Sequence, residues 1–432
     1  MAKKIDSRIT VQVGRSTQKK SREAVREALS PLADATEPYR LVFVYCSIKH
    51  KHDQILAEVR RQVGDVPVLG CTTTGELSSD GLLTDGLVIA GLASDCTEAA
   101  VGHADRVFDR PDAAAREAVD RAQRALEDLG GPARNHYVCI LHTAGFTLDH
   151  AGVEEDVVAA VRDELGDEWI VVGGSASDGA RFLGSREFTG DRVHEQSVTL
   201  GLLATDLEVH HDMAHGFTPT NRSFPVTEAK DNLVKRIDGR LAVDFYADLI
   251  GVRPKQLTKG LGLLRMTDKV PKFLTAMTQK VGLTPQVITD RIPFYAYAVD
   301  HPFGVKSDSG ASVLKVPKTI SPEGWLEFQT RMDEVAELHL MQTDPEDMLS
   351  ASADAVAAVG RAAGDHPPRL VLVYECLGRY MYLLKQIDRV FPKVRAATDA
   401  EIVGFFSAAE QGIMEGVECQ SHNYTTSVLG LG

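Results

Sequence analysis

Three stretches of the chain are apolar runs that close on a short polar tag: residues 41–47 (LVFVYCS), 137–143 (YVCILHT) and 370–376 (LVLVYEC). Continuous runs of this kind, rich in Val, Leu and Tyr, read as strands buried on both faces. Roughly thirty residues after each begins, a second strand ends in glycine and small residues: 68–76 (VLGCTTTGE), 171–178 (VVGGSASD) and 402–410 (IVGFFSAAE). A third strand then returns at 87–93, 198–204 and 428–431. Small residues and an acid (Glu76, Asp178, Glu410) thus recur at one corner of a repeated unit, and that corner is the first place to look for function.

The flanking segments extend the repeat. A strand at 9–13 precedes a helix at 19–29, a strand at 97–103 precedes an amphipathic helix at 111–129, and a strand at 336–342 precedes a helix opened by Thr343-Asp344-Pro345-Glu346. Thr343 three residues before Glu346 makes a capping box, with Pro345 in the first turn. Each copy reads β-α-β-α-β-β, at roughly 8–94, 97–205 and 335–432. Strands and helices alternating at this spacing predict an α/β fold of mixed sheets with packed helices. The stretch 206–334 stands outside the repeat. It reads as a histidine-rich turn (His210, His211, His215), a hairpin turning at Asp238-Gly239, a helix at 243–250, further helical segments to about 287, a strand at 294–299 and a hairpin over 312–328. The main boundary falls near 215–235. The expected organisation is an N-terminal strand and helix (1–35), a domain of the first two copies (36–225), and a domain of the insert plus the third copy (226–432).

Bulk properties narrow the chemistry. A net charge of -14 leaves no basic stripe for nucleic acid. No apolar run approaches the roughly twenty residues of a membrane span, and the Met-Ala-Lys-Lys start has no apolar segment behind it. The six cysteines show neither CxxC pairs nor zinc-ligand spacing, so a cytoplasmic protein with reduced thiols is expected. GxSxG, Walker A and GxGxxG sequences are absent.

The run LVFVYCS, then VPVLGCTTTGELSSDG, then LVIAGLAS resembles the N-terminal half of the FIST family, in which a strand, a helix and a Gly-Cys-(Ser/Thr)-Thr-x-Gly-Glu turn recur in this order. VDFYADLIG (243–251), Cys376-Leu377-Gly378-Arg379, the segment 404–410 and the closing Ser421-His422-Asn423-Tyr424-Thr425 are similar to its C-terminal landmarks. The resemblance implies a two-domain architecture (FIST N and FIST C) and an intracellular sensory module for a small ligand, with amino acids suggested as ligands and haem-based nitric-oxide sensing known in some members. The chain departs from the pattern at Ala408-Ala409, where a glycine precedes the acid, and at Tyr380, where a small residue is usual.

Candidate site residues come from the corners. Gly70 and Gly75 permit close backbone approach, Thr72, Thr73 and Thr74 offer hydroxyls and N–H groups, and Glu76 can accept from an amino group. The competing reading has the threonines bonding locally and Glu76 capping a helix or pairing with a lysine. Ser175 and Glu410 stand at the equivalent corners. Cys376 and Arg379 follow a buried strand, where α/β ligand sites cluster. Arg379 reads as a carboxylate clamp or a surface ion pair, and Cys376 as a nucleophile needs a base, for which His422 is the candidate. His422 and Asn423 begin the last strand and line the pocket or fix the preceding loop. The expectation is a binding protein and not an enzyme. The corner of Gly70 to Glu76 holds one end of an amino acid or related metabolite and Arg379, His422 and Asn423 hold the other. No metal or cofactor is predicted, haem being the alternative. With no kinase or cyclase segment attached, the signal passes to a separate protein such as a kinase. A haem gas sensor and a Cys376-dependent hydrolase or transferase are the other readings.

Overall fold

A computed structural model describes residues 9–432 except 36, 148–149, 151, 260–292, 308–309 and 415–416. The first copy runs β1 (Ile9–Ser16), α1 (Ser21–Leu29), β2 (Tyr39–Ser47), α2 (His52–Val63), β3 (Val68–Thr73), a small hairpin β4 (Glu76–Ser78) and β5 (Gly81–Leu83), then β6 (Leu87–Ser94). The second runs β7 (Thr97–Asp105), α3 (Pro111–Asp128), β8 (His136–Thr143), α4 (Glu154–Leu165), β9 (Trp169–Gly174), hairpin β10 (Glu187–Thr189) and β11 (Arg192–His194), then β12 (Ser197–Thr205).

The third copy is discontinuous. Its first strand is β13 (Val209–Ala214), which pairs with the last strand of the chain, so His210 and His211 lie in a strand and not a turn. The chain then leaves for an insert: β14 (Thr218–Lys230), β15 (Leu233–Ile237), β16 (Arg240–Leu241), α5 (Ala242–Leu249), α6 (Pro254–Leu257), α7 (Pro293–Asp300), β17 (Phe303–Lys306), β18 (Ser312–Lys315), β19 (Pro317–Ile320), β20 (Leu326–Phe328) and β21 (Glu337–Gln342). It returns as α8 (Pro345–Ala363), β22 (Leu370–Cys376), α9 (Leu377–Leu383), α10 (Val390–Ala396), β23 (Glu401–Ser407), hairpin β24 (Glu410–Gly412) and β25 (Gln420–His422), then β26 (Thr426–Leu431). The strand expected at 336–342 to open the third copy is instead β21, an insert strand paired with β14 and β17. The strand expected at 294–299 is helix α7. The Asp238-Gly239 turn is present, both residues at positive φ, 50° and 72°, as a type I′ turn requires. The helical segments expected up to 287 lie largely outside the described residues.

In each copy the last strand pairs antiparallel with both the first and the second, and the second pairs parallel with the third. Each copy then hands its small hairpin to a neighbour. Strand β4 pairs with β23, β24 with β9, and β10 with β3, which closes a three-membered ring of six-stranded sheets. The insert forms a fourth sheet, in the order β18-β17-β21-β14-β15-β20-β19, with β16 on β15. The fold is therefore mixed α/β.

Packing explains why the second and third strands lack alternation. Their inner faces form one shared core, with Phe43, Tyr45, Ile140, Leu372, Val403 and Phe405 drawn from all three copies. Their outer faces carry the helices. Helix α3 presents Ala114, Ala115, Ala118 and Ala122, small enough for the helix backbone to touch the sheet. A Cβ on Gly14 or Gly102, in the first strands of copies one and two, would overlap the carbonyls of Ala28 or Ala118. The repeated glycine of the third strands has the same origin: a Cβ at Gly70, Gly173 or Gly404 would overlap the carbonyl of Val44, Leu141 or Val373. Helix α8 is capped by Asp344, whose side chain accepts from Asp347 N at 2.9 Å, with Pro345 at the first position. Thr343, expected as the cap, donates instead to the Gly216 carbonyl at 2.6 Å and so ties the two ends of the insert together.

Candidate functional site

The three corners meet at one end of the ring. Thr74 N donates to Phe406 O, Phe406 N to Gly75 O, Ser175 N to Ala409 O, Ala408 N to Ser175 O, and Ser177 N to Thr72 O. The Thr74 and Ser177 hydroxyls lie 2.9 Å apart, and Ser177 Oγ also donates to Phe406 O at 3.2 Å. Much of the hydrogen-bonding capacity that suggested a ligand cradle at Gly70 to Glu76 thus locks one copy to the next. Thr72 Oγ1 accepts from Arg186 N at 3.0 Å and Thr73 Oγ1 donates to Glu76 at 2.6 Å.

The acids are equally committed. Glu76, Glu187 and Glu410 each open a small hairpin and pair with Phe405, Cys71 and Gly174, which are equivalent positions in the three third strands. Each carboxyl accepts a hydroxyl from Thr73, Ser185 or Ser407 at 2.6 Å and a backbone N–H from the turn into, or the start of, the following strand. All three are fully buried. Burial pushes their pKa up to about 7, 7 and 8, partly offset by these hydrogen bonds. The acid of the second copy is therefore Glu187, not Asp178. An insertion after Asp178 displaces it, and Asp178 binds the inserted loop instead, accepting from the N–H groups of Arg181, Phe182, Leu183 and Gly184 at 2.7–3.1 Å.

Arg379 points into the protein. Its guanidinium donates to Glu375 at 2.9 Å, Met348 O at 2.6 Å, Ser352 Oγ at 2.7 Å, Met348 Sδ at 3.2 Å and His215 O at 3.3 Å, and both members of the Arg379–Glu375 pair are 1% exposed at the side chain. It is a tie between α8, α9 and the start of the insert, with no donor turned toward a ligand. His422 ends β25 and does not begin the last strand. It is buried with neither ring nitrogen hydrogen-bonded, and burial lowers its pKa to about 3. Ser175 accepts from Gln411 Nε2 at 2.8 Å, deep in the same corner.

Two predicted residues do line an opening. Cys376 and Asn423 face a cleft of about 50 Å³ at the carboxyl ends of β22 and β23, together with Leu377, Gly378, Ala408 and Tyr424 of the third copy. Phe146 and Phe182 of the second copy form one wall, stacked at 5.1 Å and 19°, and Ala298, Val316, Pro317, Lys318 and Gln329 of the insert form the roof. A smaller cleft beside it runs along Gly145, Ser177, Asp178, Ser185 and Ala408. Sequence reasoning missed Phe146, Lys318 and Gln329. Phe146 follows a repeated strand and was findable on that ground, whereas the other two lie in the insert, which has no second copy to mark them.

Below the corner, Tyr45, His142 and Tyr374 occupy one register position in the three second strands, each one residue past the partner of Gly70, Gly173 or Gly404. They converge in the shared core. Tyr45 Oη lies 3.1 Å from His142 Nε2 and 3.4 Å from Tyr374 Oη, and His142 Nδ1 donates to Gly174 O at 3.0 Å. A carbonyl only accepts, so Nδ1 carries the proton and Nε2 receives the tyrosine hydroxyl. Burial lowers the His142 pKa to about 4, keeping the ring neutral.

Cys376 is 4% exposed, and burial, with the charge of Glu410 second, pushes its thiol pKa well above the ordinary range. Haem does not fit this corner: the cleft holds no histidine to ligate the iron, and about 50 Å³ leaves no room for a macrocycle. Among the described residues no group of three or more His, Cys, Asp or Glu side chains is arranged to hold a metal ion, and no helix is long and apolar enough to cross a membrane.

The FIST N domain family model matches residues 40–240, and the FIST C domain model matches residues 283–413. An uncharacterized protein of Methanocaldococcus jannaschii is 23% identical over 334 residues, covering 77% of this chain and 58% of that relative, so the chain matches less than two thirds of the relative's length. Among solved structures, a cyanuric acid hydrolase from A. caulinodans aligns with a TM-score of 0.27 at 12% identity, over 45% of this chain and 71% of that one. Another cyanuric acid hydrolase structure aligns with a TM-score of 0.34 at 9% identity, over 98% and 100% of the two chains. At these scores the likeness carries no argument about activity.

Proposed function

Because the chain belongs to the FIST family of sensory and signalling domains, we propose that it acts by binding a small polar ligand, an amino acid or related metabolite, in the cleft beside Cys376 and Asn423. The observation that carries this reading is the cleft's place and lining. It lies at strand carboxyl ends, where α/β sheets present ligand sites, and combines apolar walls with a few polar groups: the Asn423 and Gln329 amides, the Cys376 thiol and Lys318. Its walls come from the second copy, the third copy and the insert, so an occupant bridges all three. A ligand that prefers one arrangement of the insert over another shifts the population of that arrangement by its differential affinity. The altered surface would then be read by a separate protein partner such as a kinase.

Binding without turnover is the chemistry these residues support. A thiolate nucleophile needs a lowered pKa, and the Cys376 thiol is shifted the other way. Six buried free thiols suit a reducing compartment such as the cytoplasm. The test is a thermal-shift screen of amino acids, short carboxylates, alkylamines and haemin against wild type, Asn423→Ala and Gln329→Ala. A compound that stabilises wild type and loses effect in both variants supports the reading. Equal stabilisation of all three proteins places binding elsewhere, and a Soret band on haemin addition would favour the gas-sensor alternative.

A further inference from the structure

The roof of this cleft carries a positive charge that no salt bridge among the described residues neutralises. Lys318, on β19, is part-buried, and its Nζ stands 5.5 Å from the centre of the Phe146 ring. Among the described residues no ion pair or hydrogen bond reaches that ammonium. The contrast with Lys315 is direct: three residues earlier in the chain, its Nζ ends on Glu155 at 3.5 Å. Glu327 and Glu154 are the acids whose charge Lys318 feels, but neither comes within the 4.0 Å of a salt bridge. Glu154 is itself buried with Oε1 unpartnered, and burial pushes its pKa up to about 7.

A part-buried ammonium set against an aromatic face has lost much of its hydration, and the charges of Glu327 and Glu154 reach it only from beyond salt-bridge distance. An anion entering the cleft would supply it, whereas a cation would add repulsion. The neighbouring polar groups suit a planar anion with two oxygens: the Asn423 and Gln329 amides each offer N–H donors on the same cleft. Size sets a further limit. About 50 Å³ corresponds to room for roughly four waters at 10–15 Å³ each, enough for a carboxylate with one or two carbons behind it. A phosphate or sulfate ester of any bulk, or an aromatic acid, would have to leave most of itself outside.

We propose that Lys318 is the anchor for a small carboxylate bound in the cleft between Phe146, Asn423 and Cys376. The assignment rests on the ligand-binding reading above and names the charge and size that its ligand must have. Burial holds the Lys318 amine below the ordinary lysine range, and a carboxylate beside it would raise it again, so binding takes up protons at alkaline pH. Glu154 on α4 and Glu327 on β20 are the acids whose charge reaches this amine, and the Cys376 thiol lines the same cleft. Because Lys318 in turn lowers the Glu154 pKa, Lys318→Arg, which keeps the positive charge, is the control for Lys318→Met.

The experiment is calorimetric titration of the whole protein with propionate, alanine and propylammonium at about pH 9, in two buffers of different ionisation enthalpy. It is run on wild type, Lys318→Met, Lys318→Arg and Asn423→Ala, with urea midpoints confirming that each variant is folded. Propionate and alanine should bind wild type with proton uptake and propylammonium should not. Lys318→Met should weaken the carboxylates about 10- to 100-fold, the range for a charge-assisted bond, and abolish the uptake, while Lys318→Arg keeps most of the affinity. Carboxylate binding that survives Lys318→Met but is lost in Asn423→Ala would overturn the anchor and leave the cleft standing. Binding unchanged in both variants would overturn the cleft as well, and a preference for propylammonium would overturn the charge assignment.

Discussion

Replacing Arg379 with methionine separates a ligand clamp from a structural tie. Its guanidinium makes an ion pair and hydrogen bond with Glu375, and donates to two backbone carbonyls, a serine hydroxyl and the Met348 sulfur, so all five N–H groups are used. Methionine keeps much of the side-chain volume but strands the Glu375 carboxylate, which already has Oε1 unpartnered. Breaking a buried pair from one side typically costs about 3–5 kcal/mol. The orphaned Met348 and His215 carbonyls and Ser352 hydroxyl lie within the same network, so their cost is not additive with it. Urea unfolding followed by circular dichroism and tryptophan fluorescence should show Arg379→Met destabilised by about 3–5 kcal/mol with an unchanged slope. Neutralising the partner should soften the loss. In the Glu375→Gln background the same substitution should cost about 2 kcal/mol less, the coupling expected of contacting charges. If Arg379→Met unfolds within about 1 kcal/mol of wild type yet loses ligand response, the guanidinium is a clamp and its placement here is wrong.

Three further outcomes follow from the packing. The folded state holds protons on Glu76, Glu187 and Glu410 up to about pH 7, 7 and 8, whereas their unfolded value is 4.5. Their contribution is therefore full below about pH 4.5 and lost as pH rises through 7–8. The urea midpoint should fall between pH 6 and 8.5, and a Glu410→Gln variant should show a shallower fall. Gly173→Ala should cost about 1–3 kcal/mol or more, because its Cβ meets the Leu141 backbone, whereas Gly360→Ala in α8, with open space around it, should stabilise by about 0.5–1 kcal/mol. Asp344→Ala should cost about 1 kcal/mol as a lost helix cap; thermal unfolding compared with Thr343→Ala, which removes a tie to Gly216 and no cap, checks the assignment.

The threefold signature was legible because a doubly buried strand has to be apolar along its whole length, and a close backbone contact has to be glycine. Those constraints act locally and repeat wherever the unit repeats, so 41–47, 137–143 and 370–376 announced themselves, as did Gly70, Gly173 and Gly404. What the repeat meant for function was not legible. The acid, hydroxyl and glycine pattern at Glu76 and Glu410 reads equally as a ligand cradle or as a joint between copies, since both need buried, satisfied polar groups. Arg379 was ambiguous for the same reason: a guanidinium suits a ligand carboxylate and Glu375 alike.

By itself, the sequence determined the α/β unit, its three occurrences and the strand ends at which the corners form, because hydrophobic period and backbone clearance are properties of neighbours along the chain. Only the tertiary structure decided that each hairpin is handed to the next copy, that β13 and not 336–342 opens the third, and that Glu187 replaces Asp178. It also decided that the insert brings Lys318 over Phe146. Each of these depends on contact between residues more than a hundred positions apart, or on an insertion that shifts register, and chain-local patterning carries no term for either.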